Sequence, residues 1–170
     1  MKLRKIVLGL ATMTLLASCA KDVTKEEAVK IAKEHYDASN QVYKSGHAKV
    51  VTEVVYSDNV PEVAKTQKGG TEEADFTDPE EMADYRMNSA QIAACPDDAK
   101  FKADGAKLQI SYSQTQSLAG STVNIDATVN LDEIGYVLSS VSTMKTSVLV
   151  SEGVTYEITV KANMTITWTK

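Results

Sequence analysis

The chain has 170 residues, 18 of them basic and 23 acidic, for a net charge of −5, and it holds two cysteines. That length suits one domain with a sizeable core. The acidic balance argues against a nucleic-acid ligand, which needs a basic surface to neutralise phosphates, and two cysteines cannot build a cysteine-clustered metal site. The chain opens on a positive stretch, Lys2, Arg4 and Lys5, followed by an almost wholly apolar run at residues 6–17. A membrane-crossing helix takes about 20 apolar residues, so twelve read as a signal-peptide core.

The run ends in Leu16-Ala17-Ser18-Cys19. This resembles the bacterial lipobox, a branched apolar residue and two small residues ahead of a cysteine. The resemblance covers residues 1–22. It implies export, cleavage before Cys19, and lipid on the Cys19 sulfur, with residues 1–18 as signal peptide and 19–23 as lipidated tether. Two or more acyl chains anchor stably where one does not. The expected address is the extracytoplasmic face of a cell membrane. In a cell with two membranes, Ala20 lacks the aspartate associated with inner-membrane retention, so the outer membrane is open to it. Three basic residues lie in the leader, which leaves fifteen against twenty-three acids in the mature chain, a net −8. That charge argues against direct adhesion to an anionic bilayer surface. Cys95 is then the sole remaining cysteine, and no intramolecular disulfide can form.

The domain is expected at residues 24–170. Residues 20–23 would reach about 14 Å when extended, so it should sit close to the membrane. Thr24 with Glu27 reads as a capping box. Ala28, Ile31, Ala32, His35, Tyr36, Ser39, Val42 and Tyr43 recur at helical spacing, which predicts a helix to about residue 45, ended by Gly46. Residues 49–57 are β-branched and predict a strand. Residues 58–77 show no period, carry Gly69-Gly70 and the acids Glu72, Glu73 and Asp75, and read as a mobile acidic loop. Asp78-Pro79-Glu80-Glu81 marks a second helix start, predicted to run to about residue 94, where Pro96 stops it.

The last third alternates with period two. Strands are predicted at 107–113, 122–131, 136–150 and 154–168, with turns at 132–135 and at 151–153. In the final strand Val154, Tyr156, Ile158, Val160, Ala162, Met164, Ile166 and Trp168 share one face, and Thr155, Glu157, Thr159, Lys161, Asn163, Thr165 and Thr167 the other. The predicted class is α+β: two helices packed on a curled, long-stranded antiparallel sheet whose C-terminal half is a meander. Four or five such strands present roughly 900 Å², and helices of about 22 and 16 residues cover roughly 550 Å², so part of the inner face is expected to stay open.

Chemistry is sparse. His35 and His47 lie 12 apart, not the four that puts two ligands on one helical face, and His35 reads as a packed or rim residue. Cys95 in Ala93-Ala94-Cys95-Pro96 reads as a small hydrophobe at a helix end. The acids at 72–84 lack the spacing of a calcium loop, and no glycine-rich phosphate cradle is present. No catalytic residue, metal or cofactor is expected.

The order of elements and the strand length resemble the half-barrel lipoprotein-carrier family, in which a curled sheet wraps helices and holds acyl chains. The opening Thr24-Lys25-Glu26-Glu27-Ala28 resembles PepSY-type domains, which imply no long acyl groove. Two functions stay open. One is a surface interaction or scaffold module for a protein partner, using the wet Thr/Ser/Asn face or the acidic loop. The other is a carrier for an apolar, lipid-like ligand held on the inner face at Tyr156, Ile158, Val160, Met164, Ile166 and Trp168.

Overall fold

The computed structural model describes residues 20–118, 121–151 and 154–170. Cys19 and the 152–153 part of the expected turn lie outside them. The elements are β1 (Lys21–Val23), α1 (Lys25–Ala32) with a π-helical turn (Lys33–Asp37), β2 (Ser45–Tyr56), a 3-10 turn (Glu62–Ala64), β3 (Gly70–Phe76), α2 (Pro79–Ala83), α3 (Ser89–Ala93), β4 (Lys100–Asp104), β5 (Lys107–Leu118), β6 (Ser121–Leu131), β7 (Val137–Ser151) and β8 (Val154–Thr169). All eight strands form one antiparallel sheet in the order β1-β4-β5-β6-β7-β8-β2-β3. The C-terminal half is the expected meander. The sheet is not strongly curled. Among the described residues register shifts occur near Asn130/Leu131 and Leu149/Ser151, at strand ends.

The first helix is shorter than its periodicity suggests. Thr24 and Glu27 form the capping box, and Ala28, Ala32 and Tyr36 are buried as expected. The helix stops because Arg86 takes its last carbonyls: its guanidinium donates to Tyr36 O at 2.6 Å and Ser39 O at 3.1 Å. Tyr36 O also accepts from Ser39 N at 3.3 Å, in a tight turn that does not continue the helix. Val42 is consequently 68% exposed. Gly46 is not a helix stop. It lies in β2, where a Cβ would sit 2.5 Å from the Trp168 ring, so glycine there lets the indole cross the strand.

The second predicted helix is broken into α2 and α3. Between them the chain leaves helical geometry to pair with the β6–β7 turn: Met87 N donates to Gly135 O at 2.9 Å, and Val137 N donates to Tyr85 O at 2.8 Å. Asn88 and Gln91 then cap α3 reciprocally. Residues 58–77 are also more ordered than their composition implies, since Gly70–Phe76 pairs with β2 across seven residues. The expected tether pairs as well, as β1 against β4. Among the described residues no helix is long and apolar enough to cross a membrane.

The core sits between the helices and one half of one sheet face. Ala28, Ala32, Tyr36, Met82 and Ile92 from the helical side meet Ala48, Phe76, Phe101, Leu108, Ile110, Leu131 and Ile166 from the sheet. Tyr43, Phe76, Tyr136 and Trp168 form an aromatic group, with Tyr136 and Trp168 centroids 4.9 Å apart and Tyr43 stacked on Trp168 at 5.5 Å. The indole Nε1 donates to Val137 O at 2.8 Å. Buried Asp132 fastens the β6–β7 turn by accepting from Ile134 N, Tyr136 N and the Tyr43 hydroxyl.

Candidate binding surface

Register assigns every strand residue to a face. Tyr112, Ala127, Ser142, Ala162 and Thr52 lie side by side across β5, β6, β7, β8 and β2, pointing to the helix side. Toward the helices the inner-facing residues belong to the core or pack against it. On the other side of that row the inner face holds Ile125, Met144, Val160 and Val54, then Val123, Thr146, Ile158 and Tyr56, then Val148 and Tyr156. All of these are half-buried, intermediate between the core and the exposed surface. The helices are too short to reach them. About 13, 5 and 5 helical residues cover roughly 350 Å². Four strands about 4.8 Å apart and three rows about 6.8 Å apart leave roughly 400 Å² uncovered, the size of a patch that often carries function.

The six residues singled out from the sequence all lie on this face, but they divide. Tyr156, Ile158 and Val160 are in the uncovered half. Met164 packs at the margin of the core, Ile166 is buried under the helices, and Trp168 is committed to the aromatic group. Along the β2 side, the Tyr56 hydroxyl donates to Gln67 O and accepts from Gln67 N, which brings residues 57–69 against the face. At the boundary, between α3 and the sheet, lies a cavity of about 290 Å³ lined by Met87, Gln91, Ala94, Cys95 and Pro96 above and Ile110, Tyr112, Gln114 and Val129 below. Alternation revealed the face, but nothing in the sequence marked this cavity, because it exists only where a broken helix crosses the sheet.

The rival surfaces are largely paired within themselves. On the wet face, Gln109–Asn130, Ser111–Thr128, Ser113–Asp126 and Thr115–Asn124 hydrogen-bond in directly opposed pairs, and Lys145–Glu157 and Lys161–Glu53 are ion pairs. In the acidic stretch, Glu73 pairs with Lys49 at 2.8 Å and Asp75 with His47 at 2.8 Å. The Lys49 ammonium holds the Glu73 carboxyl below its ordinary range. Asp78 caps α2.

His35 is exposed on the π turn, and His47 faces solvent on β2. Among the described residues no three His, Cys, Asp or Glu side chains are grouped to hold a metal. Cys95 is half-buried, its thiol 3.6 Å from Gln91 O. Burial pushes that thiol up, which disfavours the nucleophilic thiolate. Comparison with known protein families, with curated proteins and with solved structures finds no match.

Proposed function

We propose that this chain is a lipid-anchored extracytoplasmic interaction module, without catalytic activity, that offers the uncovered half of its inner sheet face to a protein partner. The observation that carries the reading is the patch itself: two rows and part of a third of inner-facing, mostly apolar and half-buried side chains, from Ile125–Met144–Val160–Val54 outward, with no helix among the described residues over them. The largest apolar patch of a monomer is of this size and is often a functional surface.

The position of the anchor favours a protein over a lipid. β1 begins at Lys21, so Ala20 alone separates Cys19 from the sheet. Lys21 pairs with Ala103, next to the β4–β5 turn, at the helix-covered end. Leu118, Ser121, Ser151 and Val154, the facing ends of β5 to β8, lie at the opposite end. Eleven steps along β5 put that end about 37 Å from the anchored one. Cys19 in a bilayer would therefore hold the patch out in the aqueous space, where envelope proteins are met and acyl chains are not.

A photo-crosslinking residue at Val160, compared with one at Thr159 on the opposite face, tests this in intact cells. The reading expects one discrete protein adduct from position 160 and none from 159. Equal adducts from both faces, or acyl-chain adducts alone from position 160, refute it. Cys19→Ser should shift the protein from the membrane fraction to the soluble fraction. The cavity of about 290 Å³ favours a second reading, an apolar small ligand. Mass spectrometry of lipid extracts from the purified protein separates the two.

A further inference from the structure

We infer that the outer half of β5 is a docking edge for an extended peptide segment of another protein, which adds a ninth strand beside it and places one apolar side chain in the cavity under α3. The inference rests on the reading of the chain as an interaction module. β4 pairs with β5 only as far as Ser111, because the Cys95–Ala99 turn brings the chain in at Lys100. Beyond that point β5 continues to residue 118, paired with β6 on one side and, among the described residues, with nothing on the other. Alternate backbone N–H and C=O groups along residues 113–117 therefore point outward without partners among the described residues, a template for strand addition.

The other edges are guarded. β3 carries Glu72, Glu73 and Asp75. The part of β2 beyond β3 is closed by residues 57–69, through Gln67 on Tyr56 and Gly69 against Thr52 O. β1 is three residues long and carries Lys21 and Asp22. Charge, cover and shortness are the usual protections of a sheet edge. Ser113-Gln114-Thr115-Gln116-Ser117 has none of them: no charge, no proline and, among the described residues, no cover. The edge is also held in shape. Ser113 and Thr115 hydrogen-bond across to Asp126 and Asn124 at 2.5 and 2.8 Å, which fixes β5 on β6 almost to its end.

The second observation is the cavity. Tyr112 and Gln114 form its floor, and Ala94, Cys95 and Pro96 its roof, so it borders this edge. Strand addition draws affinity from main-chain hydrogen bonds and specificity from pockets for alternate side chains. Here both lie together, and the cavity takes an aliphatic or aromatic side chain. A second copy of this chain is a poorer occupant. Antiparallel β5–β5 pairing would put the two Lys21 ends at opposite ends of the joined sheet, so both Cys19 anchors could not enter one membrane.

The test uses the purified exported protein in lipid nanodiscs. The probe is a capped peptide alternating threonine with valine, with one central leucine and two flanking lysines. Binding should slow hydrogen exchange of alternate amides in residues 113–117 by at least tenfold. N-methylation of the probe on one parity of residues should abolish binding, and on the other parity should leave it. Leucine→alanine in the probe, or Ala94→Trp at the exposed cavity rim, should weaken binding about tenfold. Ile158→Asp, on the uncovered face and away from the edge, should leave probe binding unchanged while removing the protein adduct formed from the photo-crosslinking residue at position 160. The inference is overturned if the probe fails to bind at millimolar concentration, if neither methylation parity matters, or if protection falls on Val123, Ile158 and Val160 instead. Protection of residues 113–117 that rises with protein concentration in the absence of probe also overturns it, by assigning the edge to a second copy.

Discussion

Two isoleucines on one face of β8 give the most direct measure of how far the helices reach. Ile166 is 3% exposed and packs in the core beside Ala48, whereas Ile158, eight residues earlier on the same face, is not buried. Replacing either by alanine removes three carbons. At Ile166 the transfer loss is about 2.4 kcal/mol, and the cavity left in a packed core raises the cost to about 3.5 kcal/mol. At Ile158, which is half-buried and outside the core, no enclosed cavity forms and only part of the transfer loss applies, so the cost is about 1 kcal/mol. The difference of about 2.5 kcal/mol corresponds to a gap of about 1.2 M between the two urea midpoints, at a slope of about 2 kcal/mol/M for a domain of this size. Urea titrations followed by far-UV circular dichroism read both midpoints. Equal losses within about 0.5 kcal/mol would mean that the outer half of the face is covered as tightly as the core, and would remove the patch on which the functional reading stands.

Gly135→Ala should cost about 3 kcal/mol or more, read as a fall in melting temperature, because φ is +91° and the new Cβ would lie 2.5 Å from Met87 O and 2.9 Å from the Tyr36 ring. Asn163→Thr should be neutral to stabilising by up to about 1 kcal/mol, since the buried Asn163 Oδ1 has no hydrogen-bond partner; a clear loss of stability would show that this oxygen is satisfied. Asp37 accepts from the Ser89 hydroxyl and, at 3.0 Å, from Ser89 N at the start of α3, and these bonds hold its carboxyl below the ordinary range. A depressed carboxylate contributes stability above its unfolded pKa and loses it as pH falls through the folded one, so Asp37→Asn should flatten the acid limb below about pH 4. Because Asp37 is exposed, the effect in a pH series of melting curves should stay under about 1 kcal/mol. Trypsin should cut first at Lys68, in the stretch between the 3-10 turn and β3 that has no regular structure; first cuts within β5–β8 would contradict the sheet's stability.

Period-two alternation placed β6, β7 and β8 within one residue at each end, because a strand with opposed faces writes its pairing into the sequence wherever one face is dry, whereas β5 runs five residues past its predicted end at 113, through a stretch without apolar alternation. The caps at Thr24 and Asp78 were legible for the same local reason: a side chain and an N–H two or three residues apart decide them. That Tyr156, Ile158, Val160, Met164, Ile166 and Trp168 share a face also follows from the alternation. What tertiary structure alone decided is where the periodic signals stop applying. The helical spacing runs past Tyr36, yet Arg86, about 50 residues away in sequence, takes the carbonyls that would continue it. The pattern at 78–94 reads as one helix, yet Tyr85 and Met87 find backbone partners in the β6–β7 turn. The strands at 21–23, 70–76 and 100–104 are edge or near-edge elements, whose short or charged sequences carry little pattern and whose hydrogen bonds come from their neighbours. The division of one apolar face into a core and an open patch has the same origin. It depends on the length of helices set by those distant contacts, and the alternation along β8 runs unbroken across the line where the cover ends.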